Sequence, residues 1–85
     1  MTEEKIGTVT HFFAKPMAAA VRIEAGTLSV GDAIHVRGQT TDLHHRVDSI
    51  QIDNAPVASA GEGEIVGIRV PGKVREHDEV FRVQE

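Results

Sequence analysis

His44 and His45, flanked by Asp42 and Asp48, form the most reactive-looking group in the chain. Imidazole and carboxylate together can relay a proton or ligate a metal, but a metal requires several donors converging on one point. Neighbouring residues of a strand face opposite sides, so His44 and His45 cannot share one ion without a distorted backbone. They read as surface or packing histidines, which leaves no metal site and no catalytic residue. Ser29, Ser49 and Ser59 lie in turn or strand contexts, outside any Gly-x-Ser-x-Gly elbow. No Gly-x-x-x-x-Gly-Lys-Ser/Thr loop occurs, which sets nucleotide hydrolysis aside. With zero cysteines, disulfides, thiolate zinc sites and cysteine nucleophiles are excluded together. The expectation is a protein that is not an enzyme and uses no cofactor.

Recognition chemistry is equally sparse. Phe12, Phe13 and Phe81 could stack nucleobases, but they are the only aromatics of the chain and are expected in the core. Arg37, Arg46, Arg69, Lys73 and Arg75 are dispersed singly, the pattern of a solvated face. The net charge of −4 argues against a general grip on phosphate backbones. Residues 1–5 are acidic and lead into no apolar signal region, so they are read as a flexible N-terminal tail. No apolar run approaches the roughly 20 residues that span a bilayer, and the reading is a cytoplasmic protein without membrane contact. The 85 residues make a single domain, placed at 6–85.

The elements that position these side chains read as strands. Residues 6–13 are rich in β-branched and aromatic types, and Pro16 ends that run. Ala19, Val21 and Ile23 alternate with Ala20, Arg22 and Glu24, a strand of period two ending in a turn at Gly26. Leu28 and Val30 lead to a second turn at Gly31-Asp32, and a strand follows over residues 34–36. Residues 43–53 extend further but change parity. Leu43, His45 and Val47 fall on one side and Ile50 and Ile52 on the other, which predicts a β-bulge near Asp48-Ser49. Residues 57–63 are a small-residue connection, residues 65–70 the most apolar strand, and residues 74–83 the last. Pro71-Gly72 has the order of a type II turn, with Gly72 at positive φ. No segment carries a sustained 3.6-residue period.

Residues 31–36 are echoed by residues 77–82, each with an aspartate in a turn ahead of a strand. The echo puts His77 where the first copy has Gly31 and predicts a positive φ there. Six or seven short strands joined by such turns point to a small closed β-barrel.

Residues 21–38, with their strand, glycine turn, Val-Gly-acid turn and strand, resemble the second domain of translational GTPases such as elongation factor Tu. So do residues 60–68 and 74–83. Residues 7–13 and the run from Thr40-Thr41-Asp42 to Ile52 are more similar still to the C-terminal barrel of collagenase-like peptidases. They are also similar to small free-standing proteins termed translation-elongation-factor-like. The resemblance implies an all-β barrel of the elongation factor Tu domain 2 type, built here without a GTPase domain. It implies a non-enzymatic binding or adaptor module for a protein or ribonucleoprotein partner. The alternative is an RNA-binding barrel that recognises a tRNA acceptor end or other single-stranded RNA, with Glu62, Glu64, Arg69 and Arg75 lining its groove. Gly26, Gly31, Asp32, Pro71 and Gly72 are read as architecture, holding turns.

Overall fold

Alternation of aliphatic and polar residues dictates the architecture, because side chains of a strand point to opposite faces in turn. The computed structural model describes residues 2–84 and contains ten strands: β1 (Thr2–Phe13), β2 (Ala18–Ile23), β3 (Thr27–Ser29), β4 (Ala33–Arg37), β5 (Asp42–Arg46), β6 (Ile50–Ile52), β7 (Ala55–Val57), β8 (Ser59–Gly61), β9 (Ile65–Arg69) and β10 (Glu79–Gln84). Eight form an antiparallel sheet in the order β5-β4-β10-β1-β2-β9-β6-β7, and β3 pairs with β8. The fold is all-β, as expected. The strand count exceeds six or seven because residues 43–53 divide into β5 and β6, and because β7 and β8 lie within residues 55–61, which read as little more than punctuation and a connection. Pro56 sits in β7, at one end of the sheet, where its missing N–H costs no ladder bond.

The inward set is almost entirely aliphatic. Ile6, Val9, Val21, Ile23, Leu28, Ile34, Val36, Val47, Ile50, Val66, Ile68, Val74 and Val80 are at most 2 % exposed. Of the three phenylalanines only Phe12 packs against this core; Phe13 is 47 % exposed and Phe81 lies half-buried on the outer face. The expectation of three core aromatics is thus corrected. Inward positions of so narrow a barrel-type fold are filled by branched aliphatics instead.

The expected tail at residues 1–5 is likewise corrected. Met1 lies outside the described residues, but Thr2–Lys5 open β1 and pair with β10, Thr2 standing opposite Gln84 and Lys5 opposite Phe81. Their charges serve this pairing, since Lys5 Nζ lies 3.2 Å from Glu79 and Arg82 Nη2 lies 3.2 Å from Glu4. The register of β1 shifts between Lys5 and Gly7, and again between Val9 and His11. Ile6 and Val9, three apart, can therefore both face inward.

The parity change in residues 43–53 is real and has a larger cause than a bulge within one ladder. The strand breaks over residues 47–49; β5 pairs with β4, whereas β6 pairs with β9 and β7. Val47 and Ile50 are both 1 % exposed on either side of the break. The hydrogen-bonded ladder has β5 at one end and β7 at the other, and this continuous segment runs from β5 to β6, the neighbour of β7.

The sequence echo is a structural repeat. At the first copy Ser29 N donates to Asp32 Oδ2 at 2.9 Å, and Asp32 N donates to Ser29 O at 3.0 Å. At the second, Arg75 N donates to Asp78 Oδ2 at 2.8 Å and Asp78 N to Arg75 O at 3.2 Å. Gly31 has φ 99° and His77 φ 75°, as predicted. Each turn also clasps a buried valine. Gly31 N donates to Val47 O and Val47 N to Asp32 O; His77 N donates to Val9 O and Val9 N to Asp78 O, all at 2.7–2.8 Å.

Gly26 turns the chain at φ 68°, and Asp53 and Asn54, at 51° and 65°, make the two-residue hairpin between β6 and β7 that such geometry serves. Gly72 is a correction, since its φ is outside the left-handed region and the Pro71-Gly72 pair is not a type II turn. A Cβ there would meet Leu43 Cδ1 at 3.1 Å, a tight approach that the leucine side chain would relieve by shifting a few tenths of an ångström.

Candidate functional site

The outer face of β4 carries the densest polar cluster among the described residues. Ile34 and Val36 point into the core, so His35 points out, yet it is only 9 % exposed because neighbouring strands cover it. His35 stands directly opposite His44 on β5. Gly38 N donates to Thr41 O at the loop, so bonded and non-bonded pairs alternate back along the hairpin and His35–His44 is a non-bonded pair. Side chains come closest at such pairs, and the two imidazoles stack at 4.0 Å with planes 15° apart.

Both ring nitrogens of His35 meet carboxylates. Nδ1 lies 2.8 Å from Glu3 Oε2, reaching over β10 to β1, and Nε2 lies 2.5 Å from Asp42 Oδ1. Carboxylates at both nitrogens make both donors, which is the imidazolium form. Burial opposes the charge on His35, but the hydrogen bonds and charges of Asp42 and Glu3 outweigh it and raise its pKa above the ordinary histidine value. The hydrogen bond from His35 lowers the Asp42 carboxyl below its ordinary value, although Asp42 is largely solvated. Phe81 flanks the cluster at 6.5 Å from the His35 ring, and the Arg37 guanidinium lies 5.6 Å over Phe81.

His44 and His45 do face opposite sides. The missed partner of His44 was His35, nine residues earlier, and the signal was hairpin symmetry about the loop at residues 38–41. His45 Nε2 is buried with no hydrogen-bond partner among the described residues.

The four groove candidates are not brought to one place. Glu62 is exposed in the turn after β8, and Glu64 holds that turn by accepting from Gly61 N at 2.7 Å. Arg69 is at the far end of β9, about 16 Å of strand from Glu64, in a depression with Asp48, Ser49 and Gln51. Arg75 lines a different depression, with Gly38, Thr40 and His77.

Residues 18–81 match the family model described as elongation factor Tu domain 2. The chain belongs to the elongation factor Tu domain 2 family. Longer curated relatives carry the same stretch. The chain is 35 % identical over 82 residues to an uncharacterized protease of Methanocaldococcus jannaschii, covering 95 % of this chain and 20 % of that protein. It is 32 % identical over 78 residues to a collagenase of Porphyromonas gingivalis, covering 91 % and 22 %. The chain thus spans about a fifth of the length of these relatives. Among solved structures, the C-terminal domain of a Geobacillus thermoleovorans protein described as a U32 peptidase superposes with TM-score 0.87 at 15 % identity, over 95 % of this chain and 93 % of that one. These matches bear out the collagenase-like resemblance and show that this elongation factor Tu domain 2 fold occurs as a small C-terminal piece of peptidase-family proteins. The His35 cluster lies on the outer face of β4 and includes neither Glu62 nor Glu64.

Proposed function

We propose that this domain is a docking module without catalysis of its own, seated on a larger protein or ribonucleoprotein partner. The observation that carries the reading is proportion: relatives named as a protease and a collagenase contain the matched stretch as only about a fifth of their length. The turn between β1 and β2 supports it with a contact element. Phe13 and Met17 are 47 % and 39 % exposed there, on either side of the cis Lys15-Pro16 peptide. Exposed large apolar side chains gathered at one tip are a feature of surfaces that meet another protein.

A tagged chain used as bait in an extract of its own cells tests the proposal. We expect capture of a protein that the Phe13→Ser, Met17→Ser double variant no longer retains; equal capture by both would overturn the tip as the contact. A titration with tRNA and single-stranded RNA at low salt separates the RNA alternative. We expect no binding, and binding that weakens with salt and on replacing Arg69 or Arg75 would favour the alternative over the protein partner.

A further inference from the structure

We propose that His35, His44 and Asp42 form a binding site for one divalent transition-metal ion of the zinc class, backed by Glu3. One donor atom from each of the three lies within 4.8 Å of the others. An ion bound at about 2.0–2.2 Å by nitrogen and oxygen needs tetrahedral donors roughly 3.4 Å apart. The wider separations therefore close by about 1 Å or a little more, while His35 Nε2 and Asp42 Oδ1, now 2.5 Å apart, open by roughly as much. His44 and Asp42 supply that movement, since both are exposed and Asp42 has a side chain 79 % accessible.

His35 is the fixed member. Its Nδ1 is held by Glu3, which sets the ring orientation and leaves Nε2 directed at Asp42; the His44 ring lies stacked on its face and would turn to bring a nitrogen to the ion. A carboxylate on the far nitrogen of a ligating imidazole is the usual support of a metal-bound histidine, because it fixes the tautomer and raises ligand basicity. The incoming ion takes the place of the proton between His35 Nε2 and Asp42 Oδ1, and that proton leaves to solvent. Two imidazoles and one carboxylate suit zinc, copper or nickel better than magnesium or calcium. Three protein donors leave a coordination position open. His44 and Glu3 also line a groove of about 590 Å³, together with Ala33, His45, Arg46 and Val83. Through Glu3 the ion would tie β1 to the paired strands β4 and β5, from which the sheet order separates it by β10.

Zinc titrated into the tag-free protein by calorimetry, with cobalt absorbance as a second readout, tests this. We expect one ion per chain, a visible ligand-field band with cobalt, and a rise in melting temperature. His44→Ala and Asp42→Asn, both at exposed positions that leave the core intact, should abolish the single site. Glu3→Gln should weaken it about 10- to 100-fold, as loss of a supporting carboxylate does. His45→Ala, on the same strand but the other face, should bind as the parent does. The proposal is overturned if the parent takes up no more zinc than His44→Ala, or if His45→Ala loses binding equally.

Discussion

An imidazole between two carboxylates makes its contribution to stability only while all three groups keep their charges. The pKa of His35 is raised above the ordinary 6.5, so its contribution is full below about that pH and is lost as pH rises through the folded value. The pKa of Asp42 is lowered below 3.8, so its contribution is present above that pH and is lost as pH falls through the folded value. In chelator-treated buffer the melting temperature of the parent should therefore exceed that of Asp42→Asn most between pH 3.8 and 6.5. The gap should shrink on either side, and a gap independent of pH would contradict this account. The cluster was only half legible in the sequence. His44, Asp42 and the opposed faces of His44 and His45 follow from local rules. Glu3 and His35 meet across β10, a contact that no periodicity encodes, and the acidic composition of residues 2–4 disguised a strand as a tail.

The paired aspartate turns act as elements, and their two copies differ in burial. Asp78 is 6 % exposed and Asp32 is half-buried, although both accept a backbone N–H three residues upstream. Truncation of Asp78 leaves a donor in a more enclosed place, so Asp78→Ala should cost about 1–3 kcal/mol and Asp32→Ala about 1 kcal/mol. Urea unfolding of the two variants measures the order. At the left-handed position, His77→Gly should be neutral or slightly stabilising, while His77→Val should cost roughly 1–2 kcal/mol. A His77→Val variant as stable as the parent would refute the strain assigned there. These turns were legible because their chemistry is local: a glycine or histidine at positive φ and an aspartate one residue on. The parity fault between Val47 and Ile50 was legible too, but as a bulge within one strand; the break into two separately paired strands was not. Strands β7 and β8 were not, since three residues are too few to display alternation and Ser59, Ala60 and Gly61 carry no strand preference. Pro71-Gly72 misled because its order fits a type II turn, whereas Gly72 lies outside the left-handed region and packs close to Leu43.

At the scale of the whole molecule, two clasped turns stand ahead of β4 and β10, which are antiparallel neighbours. The same turn-and-strand unit is thereby used twice against one aliphatic core. This arrangement was legible as a class, because alternating aliphatics and spaced turns leave a small chain few alternatives. The sheet order was not legible, because the β1–β10 pairing joins opposite ends of the chain. That pairing has a mechanical consequence. Thr2 and Gln84 are partners at one end of the ladder, whereas Glu79 pairs with Thr8 further along it. Tension applied between residues 2 and 84 loads the β1–β10 bonds one after another, each contributing only about 1 kcal/mol. Tension between residues 2 and 79 pulls the two strands past each other and loads the same bonds together. Optical-trap handles at the first pair should unfold the domain at clearly lower force than handles at the second. Equal forces would mean that the bond-breaking step lies elsewhere, and a lower force at the first pair would make this domain a soft link between whatever it joins.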